Sequence, residues 1–214
     1  MSFRKMKILA LSFVLVAVSG CAAFQEEELA RVKELPDTSQ YKNKPSAFVD
    51  LTFYRGLPSE NPVEISQAKE KLTPVVDNAF KNSQLFSNHT FDPSTKAEQD
   101  YTIEVNIYNH GNEQLAFISG FITGFSLGVI PGAVTDNYTL ELKAIDKDGR
   151  VLSELTNKDS ITTWGGIWFI PVMSNTPDKA INGTLENQIL TALKELIESG
   201  VMKYSYVNYL LSSA

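Results

Sequence analysis

Tyr138-Thr-Leu-Glu-Leu-Lys-Ala-Ile-Asp-Lys-Asp-Gly-Arg150 has the strongest β-hairpin pattern in this sequence. Apolar and polar side chains alternate from Tyr138 to Ala144, which is the period of a half-buried strand. Asp146 to Gly149 is a turn signal between two β-rich runs. We therefore predict a hairpin in which 151–163 returns beside 136–146.

Two more strands are predicted on the N-terminal side of this hairpin. Residues 101–108 alternate as cleanly as the hairpin does, with Tyr101 and Ile103 on the apolar face. Residues 46–55 are rich in aromatic and β-branched side chains and end before Gly56 and Pro58.

Two stretches have helical spacing of apolar residues. In the first, 65–83, Pro74 interrupts the pattern, so either one helix kinks there or Thr73 caps a second piece. The second begins near Thr176-Pro177 and ends at Gly200. The tail 201–214 fits a short strand or a short helix.

The resulting order is strand, helix, three strands, helix. It predicts a two-layer α+β fold, with an antiparallel sheet of about four strands carrying two helices on one face, as a single domain over 48–214. This order, with fragments such as Leu85-Phe86, is similar in outline to small α/β lipoprotein domains of the bacterial envelope, including the periplasmic domain of the curli secretion lipoprotein.

An apolar, glycine-rich segment, 115–134, is inserted between two of the predicted strands. It has no charged residue, although charged residues make up 21% of the chain. A second uncharged segment, 164–173, follows the hairpin. The residues predicted to contact a membrane or a partner are four glycines at four-residue spacing and six aromatic residues: Gly120, Gly124, Gly128, Gly132, Phe117, Phe121, Phe125, Trp164, Trp168 and Phe169.

The strand directions predict that these two segments meet. The strand 101–110 runs towards 115–134, and the hairpin returns the chain to the same end before 164–173. If the three strands form a meander, both segments emerge at one edge of the domain. Such an edge is larger than the apolar surface that a soluble monomer usually exposes.

Three interpretations of this edge remain open. The segments dip into lipid, with Trp164 and Trp168 at the interface. Alternatively, 115–134 is a transmembrane helix of roughly 30 Å whose glycines pack against copies of itself. In the third interpretation, the two segments cover each other or a sheet face and belong to the core.

The N-terminus has the pattern of a secretion signal. Three cations precede the short apolar run Ile8–Val18, which ends in Val18-Ser19-Gly20-Cys21. This end resembles the lipobox of bacterial lipoproteins. The resemblance implies cleavage before Cys21, a diacylglyceryl group on its thiol and an acyl group on its new amino group. Ala22 in the next position implies export to the outer membrane.

Residues 21–47 are polar and contain two prolines, so they are expected to be a lipidated tether after the signal peptide 1–20. Removal of the first twenty residues takes the formal charge from −6 to −9. An acidic chain without a basic stripe argues against nucleic acid and against electrostatic docking to anionic lipid. Because Cys21 is the sole cysteine, no intramolecular disulfide is predicted.

No pattern of catalytic residues is present. Neither His89 nor His110 has an acidic residue at helical ligand spacing, and no metal site or cofactor is predicted. Asp146 to Gly149 begins like a calcium loop, but Asn157 stands where the distal glutamate is required.

The sequence therefore predicts a non-enzymatic outer-membrane lipoprotein that faces the periplasm. Its apolar edge engages the membrane or an integral partner, as an accessory in envelope assembly or transport. The alternatives are a self-assembling pore or secretion-channel subunit that uses the glycine repeat, and a lipid-binding carrier. The predicted partners are the membrane, through acylated Cys21, and an envelope protein or further copies of the chain.

Overall fold

The structure, a computed structural model, describes residues 20–39, 41–111, 113–202 and 205–206. The predicted signal peptide lies outside the described residues except for Gly20. In the tail 201–214, a strand at Ser205–Tyr206 is described.

The described secondary structure comprises nine strands, three α-helices and two 3₁₀-helices. The strands are β1 Gly20–Gln25, β2 Tyr41–Asn43, β3 Ser46–Arg55, β4 Val63–Glu64, β5 Asn88–Thr90, β6 Tyr101–Gly111, β7 Gly132–Asp146, β8 Val151–Gly166 and β9 Ser205–Tyr206. The α-helices are α1 Ser66–Ser83, α2 Glu113–Phe125 and α3 Pro177–Ser199, and the 3₁₀-helices are Pro93–Glu98 and Ile167–Val172.

Seven of the described strands form a mixed sheet. Its order is β1-β8-β7-β6-β3-β4, with β5 also paired to β3, while β2 and β9 form a separate pair. The α+β class is confirmed, but the antiparallel sheet of four strands is wrong, because β3 pairs in parallel with β5 and β6. The chain leaves β3 and passes through α1 before β6, and such a helical crossover allows parallel pairing.

The tether predicted for 21–47 is wrong at its start. β1 pairs antiparallel with β8, from Gly20 opposite Gly166 to Gln25 opposite Ile161. Ala22 and Ala23 are buried, and the Ala23 N–H donates to Asn175 O over 2.8 Å. Because β1 is short and its first residues are small, it has no apolar periodicity that sequence reasoning detects.

The chain forms two compact units where the sequence predicted one domain. Unit 1 comprises Met1–Glu27, His110–Asn137 and Ser160–Thr184, and unit 2 comprises Glu28–Asn109, Tyr138–Asp159 and Leu185–Ala214. The long strands β6, β7 and β8 and helix α3 contribute residues to both units.

Unit 2 has a core of alternating strand residues and helix stripes. Leu140, Leu142 and Ala144 of the hairpin are fully buried, as their alternation predicted. The α3 stripe from Leu185 to Leu196 is buried as well. Helix α1 continues through Pro74 as one element, and the Thr73 hydroxyl donates to Lys69 O at 2.8 Å rather than capping a second helix.

Candidate functional site

The apolar segment 115–134 is a helix, a turn and the start of a strand. Helix α2 ends at Phe125. In the turn that follows, the Gly128 N–H donates to Thr123 O over 2.8 Å. Leu127 and Gly128 have φ values of 53° and 80°, the left-handed backbone that ends many helices. The interpretation of 115–134 as one transmembrane helix is therefore wrong. Among the described helices, none combines the length and the apolar character needed to cross a bilayer.

The four glycines of the repeat have different surroundings. Gly120 and Gly124 lie on α2, and a Cβ on either would meet open space. Gly128 lies in the turn, and Gly132 begins β7. A Cβ on Gly132 would overlap the hydroxyl oxygen of Thr123 and lie 2.6 Å from that of Ser119. The repeat therefore does not form one continuous helix face.

The two apolar segments are in contact, as the strand directions predicted. The Ile167 N–H donates to Gly128 O at 3.1 Å. The indole N–H of Trp168 donates to Val129 O at 2.9 Å. These bonds join the 3₁₀-helix Ile167–Val172 to the turn that follows α2, within unit 1.

Unit 1 has many large apolar side chains exposed to solvent, which together we call the apolar surface. Phe125 is 86% exposed, and Phe121 and Trp168 are each 65% exposed. Among the described residues, the other large exposed apolar side chains are Val63 and Val151 of unit 2. The members of the apolar surface are Leu115, Ile118, Phe121, Ile122, Phe125, Leu127, Val129, Ile130, Trp164, Trp168, Val172 and Met173.

The predicted contact residues differ in how far their side chains are exposed to solvent. Phe121, Phe125 and Trp168 are exposed, and the first two rings stack at 6.2 Å. Trp164 is partly exposed and packs on the half-buried Phe169 at 5.6 Å. The backbone of Phe117 belongs to α2, but its side chain lies outside the part of the structure that is described.

Several aliphatic residues of the apolar surface do not share the spacing of the glycines and phenylalanines from which the contact residues were predicted. Leu115, Ile118 and Ile122 belong to α2 and have helical spacing. Together with Phe121 and Phe125, this spacing indicates an apolar helix face, and it was visible in the sequence.

A cavity of about 470 Å³ lies within unit 1, beside α2 and β8. The exposed thiol of Cys21 is part of its wall, and Sγ lies 3.9 Å from the position of a Cβ on Gly165. No charged residue contributes to the wall. Its lining residues are Cys21, Ser119, Gly120, Thr123, Gly124, Leu127, Gly128, Gly132, Val134, Thr163, Gly165 and Gly166.

The ionisable groups with perturbed pKa values mark structural contacts in unit 2. Burial raises the pKa of Tyr108 to about 12, and the nearby carboxylate of Glu141, which accepts from its hydroxyl, adds to this effect. The Lys81 ammonium, and then His89, lower the pKa of Asp77. No group of three or more metal-ligating side chains is brought together within the described ranges.

No family model matches the sequence, and no curated protein matches it. Several solved structures are similar over most of their length. One is the PelC dodecamer from Paraburkholderia phytofirmans, with 12% identity, coverage of 81% of this chain and 97% of that chain, and a TM-score of 0.34. Another is a putative neuraminyllactose-binding hemagglutinin homolog from Helicobacter pylori, with 12% identity, coverage of 78% and 97%, and a TM-score of 0.40. A third is a DUF4136 family protein from Bacteroides thetaiotaomicron, with 11% identity, coverage of 85% and 97%, and a TM-score of 0.30. At these values the similarities carry no functional argument.

Proposed function

We propose that this protein is a non-enzymatic outer-membrane lipoprotein, held by acylated Cys21 and facing the periplasm. Its apolar surface contacts the membrane, and it acts as an accessory in envelope assembly or transport. One observation carries the proposal: the apolar surface and the lipobox cysteine belong to the same compact unit. A lipid attached there begins beside residues that water solvates poorly.

The composition of the apolar surface is suited to lipid. Tryptophan is enriched at membrane interfaces because its ring is apolar and its N–H is polar. Phe121 and Phe125 offer large rings with little protein around them. Burying a side chain of this size contributes about 1.5–3 kcal/mol. Because the mature chain is acidic, the attraction has to come from apolar contact rather than from charge.

Acylation and the apolar surface would act as two membrane signals. A single acyl chain holds a protein only marginally, whereas the several chains that the lipobox implies for Cys21 hold it stably. In this proposal the lipid on Cys21 supplies the lasting attachment. The apolar surface then sets which side of unit 1 faces the bilayer.

The test uses Cys21→Ser protein without its signal peptide, so that no acyl group contributes to binding. We expect this protein to float with vesicles of zwitterionic phospholipid and to stay bound at high salt, because apolar contact is not screened. The proposal fails if the protein is monomeric in buffer and shows no affinity for the vesicles. If the protein instead forms oligomers in buffer and does not bind vesicles, the apolar surface is a contact between copies of the chain.

A lipid-binding carrier is the second candidate, and the uncharged cavity beside Cys21 favours it. In that case the Cys21→Ser protein should retain co-purified phospholipid in native mass spectrometry. The pore subunit that relies on a glycine repeat has less support, since the four glycines belong to a helix, a turn and a strand.

A further inference from the structure

We propose that the cavity of unit 1 holds one of the acyl chains attached to Cys21. This inference rests on the acylation of Cys21 proposed above. It adds that one chain lies against the protein while the others enter the membrane. The cavity is thus a binding site for the protein's own lipid rather than for a diffusible ligand.

The size and the chemistry of the cavity suit a hydrocarbon chain. Its volume of about 470 Å³ falls within the range of roughly 300–1,000 Å³ found for ligand sites. Six of the twelve lining residues are glycines and none is charged, so the acyl chain would meet much backbone and no ionised group. Gly120 and Gly124 leave open space where other residues would project a Cβ.

A second observation is the orientation of Thr123. Its Cγ2 methyl carbon and the Cys21 sulfur lie 4.0 Å and 3.9 Å from the position of a Cβ on Gly165, whereas its Oγ1 atom is buried against Gly132. Thr123 therefore presents its methyl group, and not its hydroxyl, on the side of the cavity where Cys21 lies. The wall next to the sulfur is apolar, as a hydrocarbon chain requires.

The position of Cys21 favours its own lipid over any other occupant. Pairing of Cys21 with Gly165, and burial of the next two residues, hold the sulfur at the cavity wall. A diacylglyceryl group attached to this sulfur starts at the cavity wall. Its effective concentration there exceeds that of a free lipid, because the attachment makes binding intramolecular.

The experiment labels the acyl chains in cells that produce the full-length protein. The cells receive a photoactivatable fatty acid that carries a diazirine and enters their lipids. After irradiation, peptide mass spectrometry locates the crosslinks within the purified, acylated protein. We expect crosslinks to residues 119–128 and 163–166. In the Gly120→Leu/Gly124→Leu protein, whose new side chains fill the cavity, we expect at least a fivefold loss of these crosslinks.

The matched control is Gly124→Ala, which adds one methyl group in open space and should leave the crosslinks in place. Crosslinks to bulk lipid alone, or only to Phe121 and Phe125 on the apolar surface, would overturn the inference. So would equal labelling of the cavity by a photoactivatable phospholipid in wild-type and Cys21→Ser protein, since a membrane lipid would then be the occupant.

The mass of the N-terminal peptide separates this inference from the proposed function. A peptide that begins at Cys21 and carries the acyl mass supports lipidation, whatever the crosslinks show. A peptide without the acyl mass overturns both the proposed lipid anchor and the proposed binding of an acyl chain in the cavity.

Discussion

Replacing Ile118, Phe121 and Phe125 with glutamine is expected to weaken vesicle binding of the Cys21→Ser protein by about a thousandfold. The three side chains are 53%, 65% and 86% exposed on α2, so they contribute to binding much more than to folding. At about 1.5 kcal/mol each, the low end for burying a large apolar side chain, their loss removes roughly three decades of affinity. Glutamine is a good helix former and should preserve α2.

The matched control replaces two exposed apolar residues of unit 2. Val63 and Val151 are 64% and 55% exposed, and their change to glutamine should leave vesicle binding as it was. Flotation at several lipid concentrations measures both proteins, and circular dichroism verifies their folds. A triple-glutamine protein that is folded and floats like its parent would show that α2 does not contact lipid.

The second large effect is expected on stability. Gly132→Ala should lower the free energy of unfolding by about 2 kcal/mol, because a Cβ at this position meets the hydroxyl groups of Thr123 and Ser119. Gly120→Ala should instead raise it by about 0.5–1 kcal/mol, since alanine favours a helix more than glycine does and its methyl group meets open space.

Urea denaturation followed by tryptophan fluorescence measures this difference, since Trp164 and Trp168 both belong to unit 1. The contrast between the two glycines distinguishes the observed structure from a glycine zipper. In one continuous helix, every fourth residue has the same role, and Gly120 and Gly132 would respond alike. Equal effects of the two substitutions would therefore contradict the break of α2 before Gly132.

Much of unit 2 was predictable because its elements have regular periods. Alternation identified β6 and the hairpin of β7 and β8, and helical spacing identified α1 and α3. In each case one face is buried and the other is solvated, so the burial of side chains repeats with the element. The spacing of apolar residues in the sequence therefore indicates which side chains are buried.

The parallel pairing of β3 with β6 was not predictable in this way. Alternation shows that a strand is half-buried, but it does not say which neighbour the strand has or in which direction that neighbour runs. The strand β1 was missed for another reason. Its six residues pair with β8 by backbone hydrogen bonds, and its small residues Ala22 and Ala23 give little hydrophobic signal.

The candidate site was predicted in outline and missed in detail. The absence of charge identified both apolar segments, and strand direction predicted that they meet. The end of α2 depends on left-handed backbone at Leu127 and Gly128, and regular glycine spacing concealed it. The cavity beside Cys21 could not be predicted from the sequence, since it depends on the pairing of β1 with β8.

Bromine quenching of tryptophan fluorescence tests most directly whether the apolar surface lies in the membrane. The chain has two tryptophans, Trp164 and Trp168, and both belong to the apolar surface. The acylated protein is reconstituted into vesicles that contain bromine-labelled phospholipid. We expect strong quenching and emission at shorter wavelength than the Cys21→Ser protein shows in buffer. Unquenched emission at the wavelength seen in buffer, from protein that its acyl chains hold on the vesicles, would contradict the account.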